Sequence, residues 1–229
     1  IEYIYLTWSL ITFIRFIRLF AMAGSLLFTA FYVATITYHF ELIPSKLLII
    51  MGQSRSQVPF PPLLEALLLE LLIELLREAG ARLPSKVGQT MGIVGGIVIG
   101  QATVEAGLTS NILIIIVAFS ALGAFMAPIY EMGTAIRVAR FPFIILAGIW
   151  GLNGIMIGVC VLMVNFLKLT SLNKPYLAPL YPLRIEDLKY FLIRLPHHFS
   201  MRRPTVNRPL NAIRTRWKSK KTEKDLDEF

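Results

Sequence analysis

The stretch Phe141–Leu167, FPFIILAGIWGLNGIMIGVCVLMVNFL, runs 27 residues without a charge. The hydrocarbon core of a bilayer is about 30 Å thick and takes about 20 apolar residues in a helix. This segment is therefore long enough to cross with tilt. Three further stretches are of the same kind. Leu19–Tyr38 and Asn111–Tyr130 carry no charge, and Gly88–Gly107 carries none before Glu105. The whole chain of 229 residues is 55% hydrophobic and 16% charged, where a soluble domain has about 45–50% and about 25%. Charge is also unevenly placed. Residues 168–229 hold 14 Lys/Arg and 6 Asp/Glu, which leaves nine basic and eight acidic residues for 1–167. A nearly neutral apolar body with a basic tail is the pattern of an integral membrane protein. It excludes a disordered chain and argues against a soluble enzyme. The expected organisation is an all-α polytopic membrane domain over residues 1–167 and a basic C-terminal tail over 168–229.

A fifth apolar segment, Pro62–Ala79, is Leu-rich but carries Glu65, Glu70, Glu74, Arg77 and Glu78. Pro61-Pro62 marks its start and Gly80 its stop. At about 100° per residue, Glu70, Glu74 and Glu78 share one stripe, opposite a surface that is mostly Leu and Ile apart from Glu65. Such a helix can lie in the interface, enter part way, or span while facing protein. Arg15 and Arg18 precede the first span and place the N-terminal side in the cytoplasm. A cytoplasmic basic tail then requires an even number of crossings. Four spans with a non-spanning acidic helix satisfy both ends, and leave Arg77, Arg82, Lys86, Arg137 and Arg140 on the outer side.

Conventional catalytic signals are absent: the chain has no CxxC, HExxH or P-loop. His197 and His198 are adjacent and do not face one ligand on a helix. The lone Cys160 reads as a small core residue. No enzyme activity, metal, cofactor or nucleic-acid partner is expected. The informative pattern is a glycine ladder, Gly88, Gly92, Gly96 and Gly100, which lets helix backbones approach closely within one subunit or between subunits. The neighbouring row is Gln89, Ile93, Ile97, Gln101 and Glu105. If copies of this helix ring a pore, Ile93 and Ile97 form a hydrophobic constriction. Gln89 and Gln101 then wet the vestibules, and Glu105 favours cations at a mouth. The alternative is two glutamines hydrogen-bonded inside a bundle. The acidic stripe of Glu70, Glu74 and Glu78 is either an ion path or paired site, or a solvated face, with Arg77 three residues after Glu74 as an intrahelical partner.

Six blocks in order resemble a known family. PFPPLLEALLLELLIELLREAG at Pro59–Gly80 is similar to a signature of the GerA-type spore-germination proteins, specifically their A subunit. VGQTMGIVGGIVIGQATVEAG at Val87–Gly107 resembles the family's glycine- and glutamine-bearing span, and IRVARFP at Ile136–Pro142 its short loop. KPYLAPLYP at Lys174–Pro182, DLKYFLIRLP at Asp187–Pro196 and MRRP at Met201–Pro204 resemble its C-terminal region. Gly92 stands where the family pattern has Ser or Ala. The resemblance implies a subunit of a germinant receptor in the inner membrane of a bacterial endospore. Such a subunit acts with a transporter-like B subunit and a lipoprotein C subunit, and oligomerises into a nutrient-gated channel for monovalent cations. The family's cytoplasmic domain, expected before the first span, is not in this sequence. Two alternatives stand beside the channel: a non-conducting scaffold coupling a nutrient sensor to effectors, and a family member tied to dipicolinic-acid release.

Overall fold

The computed structural model describes residues 8–171, 174–177 and 180–181, with the side chains of residues 85, 86, 89–91, 93, 94, 171 and 174 outside that description. The regular elements of the described residues are helical except for one short ladder. In order they form α1 (Trp8–Thr37), a 3-10 turn (Phe40–Leu42), α2 (Ser45–Arg55), α3 (Pro62–Arg82), α4 (Ser85–Glu105), α5 (Asn111–Phe125) and α6 (Tyr130–Lys168). The ladder pairs β1 (Thr170–Ser171) with β2 (Lys174–Pro175), antiparallel. The chain divides into two compact units, residues 17–164 and residues 1–16 with 165–229. In the second unit, the Tyr176 N–H donates to the Leu169 carbonyl (3.0 Å) and the Phe166 and Tyr176 rings stack. The expected helix at residues 187–196, the His197-His198 pair and the basic runs of the tail lie outside the described residues.

Prolines set the helix starts. Pro44, Pro61 and Pro84 each stand at the N-cap of the following helix, where a missing N–H costs nothing. Ser110 caps α5 by accepting from the Leu113 N–H. Gly107, with φ +65°, ends α4 in the left-handed conformation.

The helix bounds depart from the sequence expectations in three places. α5 stops at Phe125, so the apolar run 111–130 is a 15-residue helix followed by a turn. IRVARFP is not a loop: Ile136–Pro142 lies inside α6, with Pro142 in the helix body. The uncharged run 141–167 is not one straight helix. Gly151 (φ 60°, ψ −137°) breaks it, a conformation that only glycine adopts cheaply. Beyond the break the chain folds back on itself. A Cβ on Gly154 would meet the Leu146 carbonyl, and one on Gly158 would lie 2.9 Å from the Phe143 ring. α6 is thus two antiparallel arms, 130–150 and 152–168. The break frees carbonyls of the first arm, and the Tyr38 hydroxyl donates to those of Gly148 (3.0 Å) and Ile149 (2.9 Å).

Side-chain contacts fix the direction of each helix in unit 17–164. Thr29 meets Ser120, and Tyr32 meets Ser110, so α1 and α5 run antiparallel. Glu70 meets Arg140 and Glu74 meets Arg137, so α3 runs antiparallel to the first arm of α6. A Cβ on Gly88 would touch the Gly80 carbonyl and one on Gly95 would touch Leu76, which makes α3 and α4 a hairpin. One end of the unit therefore carries Thr37, Pro62, Glu105, Asn111 and the break at Gly151. The other carries Arg82, Ser85, Phe125 and Tyr130. Among the described residues, two helices, α1 and α6, are long and apolar enough to cross a membrane, while α5 is apolar but shorter.

Candidate functional site

Charge concentrates where α1, α3, α5 and α6 meet. Glu70 is 4% exposed and Arg140 is 2% exposed. The Arg140 Nη1 donates to Glu70 Oε2 at 2.5 Å, and its Nη2 donates to Ser25 Oγ (2.8 Å) and the Ser120 carbonyl (3.0 Å). The other carboxylate oxygen accepts from Thr29 (2.8 Å) and Ser120 (3.4 Å). Four helices are thus stitched by one ion pair and three hydroxyls. The pair is tolerable inside because each charge finds both a counter-charge and hydrogen bonds.

Glu74 and Glu78 meet different environments. Arg137 Nε lies 3.3 Å from Glu74 Oε1 and its Nη2 donates to Thr134. Glu78 pairs with Arg82 on the exposed surface, one helical turn on (2.8 Å). The stripe therefore grades from buried to exposed along α3. Arg77 takes none of these places; its guanidinium lies over the Phe125 ring, 4.3 Å from the centroid. Glu65, the apparent exception on the apolar face, is fully buried. It accepts from the Ser110 N–H (2.6 Å) and faces Arg55 at 3.6 Å. Tyr32 and Ser110 share a hydrogen bond (3.1 Å) next to it. Glu65 thereby ties the end of α2 and the start of α5 to α3.

The residues of α4 are arranged otherwise. Gly88 approaches Gly80, as a small residue permits, but Gly92, Gly96 and Gly100 have nothing within 4 Å of a Cβ position. They border a cavity of about 650 Å³ between α3, α4 and α5. Ile97 is 63% exposed. Gln101 Nε2 donates to Glu105 Oε1 at 2.8 Å, one turn on, and both are exposed. The side chains of Gln89 and Ile93 lie outside the described residues. Cys160, read from sequence as a core residue, is exposed, because the second arm of α6 packs on the first through Gly154 and Gly158. No cluster of three or more His, Cys, Asp or Glu residues able to hold a metal occurs among the described residues.

Sequence reasoning missed Arg137, Arg140, Glu65 and the hydroxyls of Ser25, Thr29 and Ser120. Their periodicity is a usable signal in part: Ser25 and Thr29 are one turn apart on one face of α1, as are Arg137 and Arg140 on α6. Reading Ile136–Pro142 as a loop removed the second pair from the helical pattern.

Comparison with known proteins gives a consistent answer. The family model described as Bacillus/Clostridium GerA spore germination protein matches residues 1–206. Spore germination protein GerQA of Bacillus cereus is 56% identical over 207 residues, covering 90% of this chain and 42% of the relative. Spore germination protein GerIA of the same organism is 56% identical over 190 residues, covering 83% and 28%. An uncharacterized membrane protein, YfkQ of Bacillus subtilis (strain 168), is 41% identical over 200 residues, covering 87% and 38%. The chain thus spans less than half the length of these relatives. No solved structure matches.

Proposed function

Since this chain belongs to the GerA spore germination family, we propose that it is the membrane-embedded part of a germinant-receptor A subunit, and that copies assemble around α4 into a nutrient-gated cation channel. The membrane part of this reading rests on one observation. The unit buries a charged and hydroxylic cluster and keeps an apolar exterior: Ser25, Thr29, Glu70, Ser120 and Arg140 are buried beside Val33, Leu113 and Ile144, while Phe20, Phe28, Phe119, Ile149 and Met156 are exposed. In water such an exterior exposes far more apolar surface than a soluble monomer keeps. In lipid it is the economical arrangement, since polar groups must find protein partners.

The antiparallel contacts support six crossings in place of four: α1, α3, α4, α5 and the two arms of α6. The parity remains even. α3 crosses as a charged helix because Arg140 and Arg137 neutralise Glu70 and Glu74 at depth. Arg18, Arg77, Arg82 and Lys86 then lie toward one end of the unit, where the chain also enters and leaves. Lys46 and Arg55 lie toward the other. The excess of basic residues assigns the first end to the cytoplasm, so Arg77, Arg82 and Lys86, which the four-span arrangement left outside, turn inward, and Arg137 and Arg140 are held at depth by their glutamates.

In the channel reading, the row Gln89, Ile93, Ile97, Gln101 and Glu105 lines the path, and Gly92, Gly96 and Gly100 flank it. The exposure of Ile97 and the outward Gln101–Glu105 pair favour this over glutamines buried in a bundle. A transporter-like B subunit that binds nutrient and a lipoprotein C subunit are the proposed partners, in the inner spore membrane. The test is Ile97→Gly in the full-length protein. Widening the constriction is expected to make spores leak monovalent cations and germinate without nutrient. Unchanged retention and unchanged nutrient dependence at normal protein level would remove the gate and leave a non-conducting scaffold. A closed ring in particle images would support the assembly, since a single copy cannot enclose this path.

A further inference from the structure

We infer that the groove between α3, α4 and α5 is a binding site for one anionic phospholipid of the cytoplasmic leaflet, with its acyl chain along the glycines of α4 and its phosphate on Arg77. The walls are apolar: Leu69, Leu72, Leu76, Ile99, Ile114 and Leu122. Gly92, Gly96 and Gly100 form the floor, and a methyl group on any of them would meet nothing within 4 Å. The volume of about 650 Å³ lies in the range of small-molecule sites, about 300–1,000 Å³. Gly92 and Gly96 are exposed, so the groove is reached from the side, as a lipid must reach it.

The head end is set by Arg77, which lines the groove near the α3–α4 turn. Its guanidinium is fixed on the Phe125 ring, and Nη1, shielded from solvent, has no hydrogen-bond partner among the described residues. A buried guanidinium N–H without an acceptor is costly. A phosphate in the groove that Arg77 lines supplies the counter-charge the guanidinium lacks and matches its planar fork. The surroundings select a net negative head group. Arg77 feels Arg137 and Arg140 against Glu74, and Glu70 is the remaining acid of the cluster. Three arginines to two glutamates leave one positive charge over. Arg77 lies on the last turns of α3, at the end assigned to the cytoplasm, where anionic head groups lie. A carboxylate from a second copy is the weaker occupant, because Glu70 and Glu74 are already held by arginines of their own chain.

The inference rests on the membrane placement proposed above, and not on the channel. The test uses the full chain in nanodiscs of phosphatidylcholine with a minor share of phosphatidylglycerol, and lipid retained after delipidation is read by native mass spectrometry. Failure to enter nanodiscs would strike the membrane placement itself. Given entry, phosphatidylglycerol is expected to be enriched about fivefold over its bulk share, the factor for one basic residue at an anionic surface. Arg77→Gln should abolish the enrichment, and Gly96→Leu should abolish it by filling the floor. Arg82→Gln, outside the groove, should retain it. Circular dichroism and the nanodisc yield report whether each variant folds, and Arg77→Lys, which keeps the charge, should keep part of the enrichment. Equal retention of both lipids by the wild type, or enrichment unchanged in Arg77→Gln and Gly96→Leu, would overturn the site. So would efficient disulfide-linked dimers of Gly96→Cys in a Cys160→Ser background, which would put a second copy in the groove.

Discussion

α3 and α4 are neighbours of equal length, 21 residues each, joined by a short turn. They solve opposite problems. α3 carries Glu65, Glu70, Glu74, Arg77 and Glu78, and puts Glu65 and Glu70 into the interior. α4 carries no charge between residues 87 and 104, and leaves Ile97 and Val98 exposed. Hydropathy alone ranks α4 as the better core helix. The structure reverses the order, because α3 meets four helices that bring it arginines and hydroxyls, whereas the glycines of α4 offer nothing for a neighbour to grip beyond Gly88 and Gly95. In this chain, the interior goes to the helix whose polar groups have partners.

That contrast is easiest to break at Arg140. Arg140→Leu leaves the Glu70 carboxylate buried without its counter-charge, with an expected loss of roughly 3–5 kcal/mol. Reduced protein yield and an earlier unfolding transition in detergent are the readouts. Replacing both partners, Glu70→Leu with Arg140→Leu, should recover most of that loss. If the double variant is no better than the single one, the two residues do not act as a pair and the comparison fails.

The fold-back of α6 comes next. Gly151→Ala forces a Cβ onto a backbone at φ 60°, ψ −137°, a region essentially restricted to glycine, at a cost of roughly 1–3 kcal/mol. Gly154→Leu should be worse, since its Cβ would meet the Leu146 carbonyl, and should lower the yield of folded chain. Tolerance of both would mean that residues 141–167 run straight. Tyr38→Phe removes only the hydroxyl that satisfies the carbonyls of Gly148 and Ile149, and should cost about 1 kcal/mol. A shift of the unfolding midpoint measures it. The smallest effect belongs to the exposed end of the acidic stripe. Glu78→Gln breaks a surface pair with Arg82 worth about 0.3–0.5 kcal/mol. A loss as large as that of Arg140→Leu would mean that the grading along α3 is wrong.

Much of the secondary structure was legible. Pro61-Pro62 announced α3, the charge-free runs located α1, α4 and α5, and the stripe of Glu70, Glu74 and Glu78 was visible as one face. The break at Gly151 was not, because glycine is frequent in apolar helices and its neighbours on either side continue the same pattern. The two arms meet through Gly154 and Gly158, residues that read equally well as ordinary packing positions. Glu65 showed the reverse failure. It stood out as an intruder on an apolar face, yet its partners, Arg55 and the Ser110 N–H, lie 10 and 45 positions away in sequence.

The sequence by itself determined the apolar class of the chain, its family and the faces on which its charges lie, since composition, motif order and helical period are local properties. Only the tertiary structure decided which arginine neutralises which glutamate, where α6 turns back, and that three glycines of α4 border an open groove. Those depend on directions and distances between segments far apart in the chain, and a period of 3.6 residues carries no information about what lies across from it.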